Sequence, residues 1–536
     1  MKRTQKKIYL SALFFFTVIL ISCSKENGTE NPPQEKPPLT EIDVLTFRKA
    51  NTDHEMIQRT IDYAAANQIG TVTIPDGEYE IDAAKSIELR DNIHLKLSDN
   101  AILKALPNNL EWHNVLKVWK VGNVKISGGK IVGERYEHQG TKGEWGMGID
   151  LRYATNVEIS NIHISDCWGD GIHLFYDNKN ITVQNVVCDN NRRQGMSVIH
   201  VNGLIVKNSV FSNTNGTAPE SGIDLEPSAF YEIVKNVLID NCTFSNNKEI
   251  GLHIYGEFGI VEDIKVTNCI VENSTVGVSL YHSNVYSIEM SDIKISDSKS
   301  QALRIYGGSK DVEMSRITIE KSASNGITLS EAANVALSDF TVNDYYEGLS
   351  VSNSTNIKIS SSSFQTSKPI AIGANIKGSK EVELSKLEIE GGKIGISSTK
   401  TEKLTLSGNI LRKQTETGLY LSDTHSAQVK GNNLSEIAQT PVNVENSNSN
   451  KINNNTFINN FSKDNTYSQV LFDGNSRNNE LKGNTISKGD SPNRAAYAVW
   501  LRSATESNTI SGNTIQKESY GNAEFKDESG KNQIEQ

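Results

Sequence analysis

Basic charge is in short supply in this chain: 54 Lys and Arg stand against 64 Asp and Glu, a formal net charge of -10 over 536 residues. A chain of that sign lacks the field that phosphate binding requires, which excludes nucleic acid as the natural partner. An anionic ligand would depend on a local cluster of Arg or Lys. Cysteine is scarce too, with Cys23 near the N-terminus and only Cys167, Cys188, Cys242 and Cys269 beyond it. The spacings of those four match no zinc pattern, so they read as small buried residues, with Cys242 and Cys269 at equivalent places of a repeat. Long apolar runs are missing after the first two dozen residues, and 36% hydrophobic content describes a soluble chain rich in polar turns.

The N-terminus is a targeting segment. "MKRTQKK" is a charged leader, "IYLSALFFFTVILI" is an apolar run too short for a comfortable span, and "LISC" follows. This pattern resembles a bacterial lipoprotein signal, which implies cleavage before Cys23 and lipidation of its thiol. The polar, Pro-rich "SKENGTENPPQEKPP" then reads as a tether. The expected layout is a signal peptide over 1–22, a lipid-anchored tether over 23–45 and a folded body over 46–536. That layout places the protein in the cell envelope, anchored by lipid to the outer membrane.

From about residue 147 a short pattern returns, a small residue followed by alternating apolar positions: "MGIDLR", "DGIHLF", "QGMSVI", "SGIDLE", "IGLHIY", "VGVSLY", "QALRIY" and onward to "TGLYLS". The interval is roughly 22 to 29 residues, and no helical period accompanies it. Between the returns runs a second strand ending in Asn, as at Asn161, Asn185, Asn208, Asn241 and Asn268, and later in "LTLSGN", "NELKGN" and "NTISGN". One such unit cannot bury its inward residues alone, so the units must stack as coils at the sheet spacing of about 4.8 Å. Asn tolerates left-handed turns and can hydrogen-bond to its counterpart on the next coil. The expected fold is all-β, a single-stranded right-handed parallel β-helix.

Upstream, "HEMIQRTIDYAAANQ" has apolar residues at helical intervals and precedes "GTVTIPDGEYEI", a strand, a Pro-Asp-Gly turn and a strand. A helix there would cap the open end of the first coil. With "VTIPDGEY" followed by "NIHLKLSDNAILKA", the chain resembles the pectate-lyase-like superfamily of right-handed parallel β-helices over roughly residues 46–515. That resemblance implies fold more than activity, because the superfamily includes polysaccharide lyases, glycoside hydrolases, epimerases and phage adhesins.

The register defines an outward stripe: Asp150 and Arg152, His173 and Phe175, Ser197 and Ile199, Asp224 and Glu226, His253 and Tyr255, Ser279 and Tyr281, Arg304 and Tyr306. It then turns abruptly into Thr328, Ser330, Ser350 and Ser352. Seven coils at the sheet spacing span roughly 30 Å, a groove for several sugars on coils of about 130–310. The long segment "GERYEHQGTKGEWGMG" adds Arg135, Tyr136, His138, Lys142, Glu144 and Trp145, and "NTNGTAPE" lengthens the coil before Asp224. Adjacent turns bring Asp170, in a Gly-Asp-Gly context, and the basic pair Arg192 and Arg193. Isolated histidines such as His94 and His113 read as ordinary surface or packed residues.

These residue types suit β-elimination on a uronic-acid polysaccharide or oligosaccharide: a base removes the C5 proton, a cation neutralises the carboxylate and an acid assists departure of the C4 oxygen. His173 or His253 would be the base, Tyr255 the acid, and Arg193 or Arg304 the clamp. Asp224 and Glu226 would either hold Ca2+ or orient a histidine, the latter being favoured because no calcium-loop motif is visible. Arg135, Trp145, Asp150, Arg152, Asp170, Arg192, Tyr281 and Tyr306 would bind substrate. The reaction is that of a chain-cleaving lyase, or of a dehydratase if a terminal 4-hydroxyl leaves; reprotonation would make an epimerase. Hydrolysis through Asp170, Asp224 and Glu226 is the main alternative. "WGDGIH" is faintly similar to a segment of β-helical polygalacturonases, but their companion Asp-Asp and Gly-His-Gly motifs are missing. A glycan-binding adhesin without turnover is the other.

Overall fold

The protein is described by a computed structural model covering residues 40–535. The expected signal peptide, Cys23 and most of the expected tether lie outside the described residues. The body starts earlier than residue 46, because the strand Glu41–Asp43 pairs in parallel with Thr71–Thr73 and so belongs to the first coil. Helix α1, Asp53–Ala66, is capped by Thr52, whose hydroxyl accepts the Glu55 N–H at 3.2 Å. Met56, Ile57, Ile61 and Ala64 form its buried face against the first-coil strands.

Beyond this cap the chain is a parallel β-solenoid. One strand of each coil stacks on its equivalent in the next, giving the apolar column Ile149, Ile172, Met196, Ile223, Leu252, Val278, Leu303 and Ile327. A second column two residues on, Leu151, Leu174, Val198, Leu225, Ile254, Leu280 and Ile305, completes that side of the core. Alternation puts one face of every strand inside, which is why the period of 2 was visible in the sequence.

The recurring glycine has a packing cause. A Cβ on Gly195 would lie 2.5 Å from the Gly222 carbonyl oxygen, and one on Gly222 would lie 2.6 Å from that of Gly251. The backbones of successive coils therefore approach too closely for a side chain. The asparagines divide into two sets that the sequence reading merged. Asn161, Asn185, Asn208, Asn241 and Asn268 adopt positive φ, and Asn185 Nδ2 donates to Asn161 Oδ1 at 3.0 Å. In the later coils Gly408, Gly431, Gly483 and Gly512 take the left-handed position. The Asn then moves one residue on and inward, so that Asn409, Asn432, Asn455 and Asn484 form a buried ladder with backbone N–H to Oδ1 distances of 2.8 to 2.9 Å. The four later cysteines are buried free thiols.

Candidate active site

The stripe exists residue for residue: Asp150, His173, Ser197, Asp224, His253, Ser279, Arg304, Thr328 and Ser350 are consecutive register partners. Its histidines and aspartates are more deeply covered than the open outward groove expected from the sequence. Asp150 and Asp224 are 0% and 1% exposed, and His173 and His253 are 7% and 8% exposed. Ionisable groups so far from water require partners, and each has one.

Two Asp–His pairs result. His173 Nδ1 lies 2.8 Å from Asp150 Oδ1, while Asp150 Oδ2 accepts from Trp119 Nε1 and Arg152 Nε, both at 2.8 Å. A carboxylate that accepts from Nδ1–H holds the tautomer in which Nε2 is free to take a proton. His253 Nδ1 lies 3.1 Å from Asp224 Oδ2, but its Nε2 is buried without a partner. Asp224 thus sits where an orienting carboxylate would.

Between the two pairs lies a compact ion network. Arg193 Nη1 donates to Asp170 Oδ2 at 3.1 Å and Nη2 to Glu226 Oε1 at 3.0 Å. Ser197 Oγ donates to Asp170 at 2.7 Å. Gln194 Nε2 lies 2.8 Å from Glu226 and 3.1 Å from Asp224, so an N–H donor occupies the space between the two acids that Ca2+ would need. Burial, then the charge of Asp224, push the Glu226 carboxyl up to about 8 against the pull of Arg193. Burial and the neighbouring acid thus favour the protonated form of Glu226.

His173, Arg193 and Glu226 line one cavity of about 410 Å³ together with Trp112, Glu144, Trp145, Phe175, Ile199 and Ser228. Trp112 and Trp145 are register partners, 47% and 44% exposed, and form an aromatic rim. Trp112 was missed from sequence, as was the upward shift of the Glu226 carboxyl; the pairing of Trp112 with Trp145 could have been found by extending the register one coil upstream. A larger concavity of about 630 Å³ lies elsewhere, lined by residues such as Lys265, Glu289 and Arg316, with no histidine.

The remaining expected residues fall into two groups. Arg152 is buried among Trp112, Trp119 and Phe175 at 4.3, 4.4 and 5.2 Å. Arg135 donates to the Asn190 and Asn215 carbonyls at 2.6 Å each, tying two turns together. Arg192 stacks on Trp168 at 3.8 Å and donates to the Gly143 carbonyl at 3.0 Å. These three guanidiniums are engaged by the protein, so of the basic pair expected at Arg192 and Arg193 only Arg193 lines the cavity. Tyr255, Tyr281 and Tyr306 do form a column, with ring centroids 5.3 and 4.5 Å apart. Arg304 lies 4.8 Å from the Tyr306 ring and, among the described residues, forms no ion pair. Tyr255 donates its hydroxyl hydrogen to Glu257.

Comparison with known proteins fits this architecture. The family model for the right handed beta helix region matches residues 90–262, and one described as periplasmic copper-binding protein (NosD) matches residues 304–469. The uncharacterised protein YclG of Bacillus subtilis is 29% identical over 249 residues, covering 40% of this chain and 43% of YclG. The chain thus spans less than half the length of that relative. Gene product 12 of bacteriophage phi29 superposes with a TM-score of 0.58 at 14% identity, over 88% of this chain and 72% of that one, a likeness of fold alone. The A-module of the Azotobacter vinelandii mannuronan C-5 epimerase AlgE4 matches at 14% identity over 92% of this chain and 100% of its own, with a TM-score of only 0.32. The chain folds as a right-handed parallel β-helix, and over residues 90–262 it matches the model of that region.

Proposed function

We propose that the protein is a carbohydrate-active carbon–oxygen lyase that performs β-elimination on uronic-acid-containing glycans. The observation that carries this reading is one cavity lined by an Asp-oriented histidine, His173, and a carboxyl whose proton burial favours, Glu226. The sheet spacing favours some candidates over others. Tyr255 is three coils from His173, roughly 14 Å, and Arg304 is five coils away, roughly 24 Å, both too far to act on the same sugar. Glu226 and Arg193 share its cavity.

His173 Nε2 takes the C5 proton, and Arg193 neutralises the uronate carboxylate as charge builds on it. The C5–H electron pair becomes the C4–C5 double bond, the C4–O bond breaks, and Glu226 delivers its proton to the departing oxygen. An internal glycosidic oxygen gives chain cleavage, and a terminal 4-hydroxyl gives water. The aromatic rim of Trp112 and Trp145 suits sugar faces. Placement in the cell envelope, through the lipoprotein signal expected over residues 1–22, belongs to the same proposal. The family description naming copper is not carried over, since residues 304–469 hold a single histidine, His425, and no cysteine.

A second reading has one observation in its favour: Glu144 lines the same cavity as Glu226, so two carboxyl groups could flank a glycosidic bond for hydrolysis. Incubation with uronate oligosaccharides separates the two. Ultraviolet absorbance of a conjugated unsaturated uronate supports elimination; new reducing ends without it support hydrolysis; binding with neither product supports an adhesin.

A further inference from the structure

The sequence offered His113 as a packed residue and His138 as one member of a long loop. The structure brings both to Glu134 in a pocket of their own. His113 Nε2 lies 2.6 Å and His138 Nδ1 3.1 Å from the same oxygen, Glu134 Oε1, and the three side chains are 1%, 0% and 1% exposed in the order His113, His138, Glu134. Their potential ligand atoms all lie within 4.8 Å of one another. The space exists because Gly146, the register partner of His113, has no side chain: a Cβ there would sit 2.5 Å from His113 Nε2.

Two features point to a cation. His113 Nδ1 lies 3.3 Å from the Leu110 carbonyl oxygen, which can only accept, so the proton belongs on Nδ1 and the Nε2 lone pair faces Glu134. The Nε2 contact with Glu134 lacks hydrogen-bond geometry despite its 2.6 Å length, and Nε2 is a buried atom without a hydrogen-bond partner. A lone pair pressed against a carboxylate oxygen is repulsive unless a positive centre, a second ring proton or a metal cation, lies between them.

We propose that His113, Glu134 and His138 bind a first-row divalent cation, Zn2+ by the chemistry of the set. Two imidazole nitrogens and one carboxylate oxygen suit Zn2+ and are a poor set for Ca2+ or Mg2+. Bonds of about 2.0 to 2.1 Å in a tetrahedron put ligand atoms about 3.3 Å apart, so Nε2 and Oε1 need open by only several tenths of an ångström. Trp168 stacks on His138 at 3.9 Å and 12° and closes the pocket on that side. The site is a clip: it fixes the loop that begins at Glu134 to the strand Trp112–Trp119. The same loop ends at Glu144 and Trp145, which line the cavity. It lies outside the segment matched by the copper-binding description and does not depend on the lyase reading.

The test is titration of chelator-stripped full chain with Zn2+ by calorimetry and with Co2+ by visible absorption, alongside Trp fluorescence and thermal melting. The expected result is one equivalent bound, tetrahedral Co2+ bands, a fluorescence change from Trp168 and a raised Tm, all lost in Glu134→Gln and His138→Gln variants that retain the β-sheet circular dichroism of the parent. Absence of stoichiometric binding by the parent chain overturns the proposal whatever the variants do. So does binding that persists in both variants.

Discussion

At the scale of the residue, the account turns on which atoms carry protons. His173→Ala removes the base and is expected to lower kcat by roughly 10²- to 10⁴-fold, whereas His253→Ala, whose Nε2 faces no cavity, leaves kcat within a few-fold. Asp150→Asn keeps the shape but no longer fixes the His173 tautomer, so its kcat also falls; steady-state kinetics on one oligosaccharide checks all three. The pH dependence follows from Glu226, whose carboxyl is raised from 4.5 to about 8. As the acid it must be protonated, so activity is expected to fall as pH rises through about 8. Stability changes in the same direction. Because the folded protein keeps this proton while the unfolded chain releases it above 4.5, stability is highest below that value and declines as pH rises toward about 8. Thermal melts of Glu226→Gln should lose the stability dependence, while the pH–rate profile of the parent chain reads the activity limb.

At the scale of the element, the glycine column and the stripe are two faces of one strand. Gly222→Ala puts a methyl group 2.6 Å from the Gly251 carbonyl and 2.9 Å from a Phe244 ring atom. The expected cost is about 1 to 3 kcal/mol, seen as a lower denaturation midpoint. The element scale is also where the sequence was most readable. Strand alternation, the cap helix and the partners Asp150, His173, Asp224 and His253 follow from periods of 2 and of one coil. What lacked a period was not readable. The approach of Glu134 and His138 to His113 depends on how a non-repeating loop folds back over a strand. Arg135 and Arg192 were expected at the ligand because charge signals binding and self-engagement by the protein alike; only the positions of the Asn190, Asn215 and Gly143 carbonyls distinguish the two.

At the scale of the whole molecule, a solenoid makes effects local. Each coil contacts its neighbours, so destabilisation by Gly222→Ala should speed amide exchange in the adjoining strands Gln194–Val198 and Ile250–Tyr255 while strands beyond residue 400 keep their protection. Under the proposed function, the same linear layout makes the tyrosine column a platform for recognition along a chain. Tyr281 lies four coils from His173, roughly 19 Å, so Tyr281→Ala should raise KM for long oligosaccharides and leave that for the shortest substrates unchanged. On the proposed reading, the stripe gives way to Thr328 and Ser350 because coils beyond the groove need only remain soluble.

The most direct measurement is the ultraviolet absorbance of a uronate oligosaccharide mixture incubated with the full chain, followed over time and repeated with His173→Ala and Glu226→Gln. The account predicts a steady rise with the parent chain, from the conjugated double bond formed by loss of the C5 proton, and none above background with either variant. A parent chain that cleaves the oligosaccharides without any rise, or a rise undiminished in both variants, would contradict it.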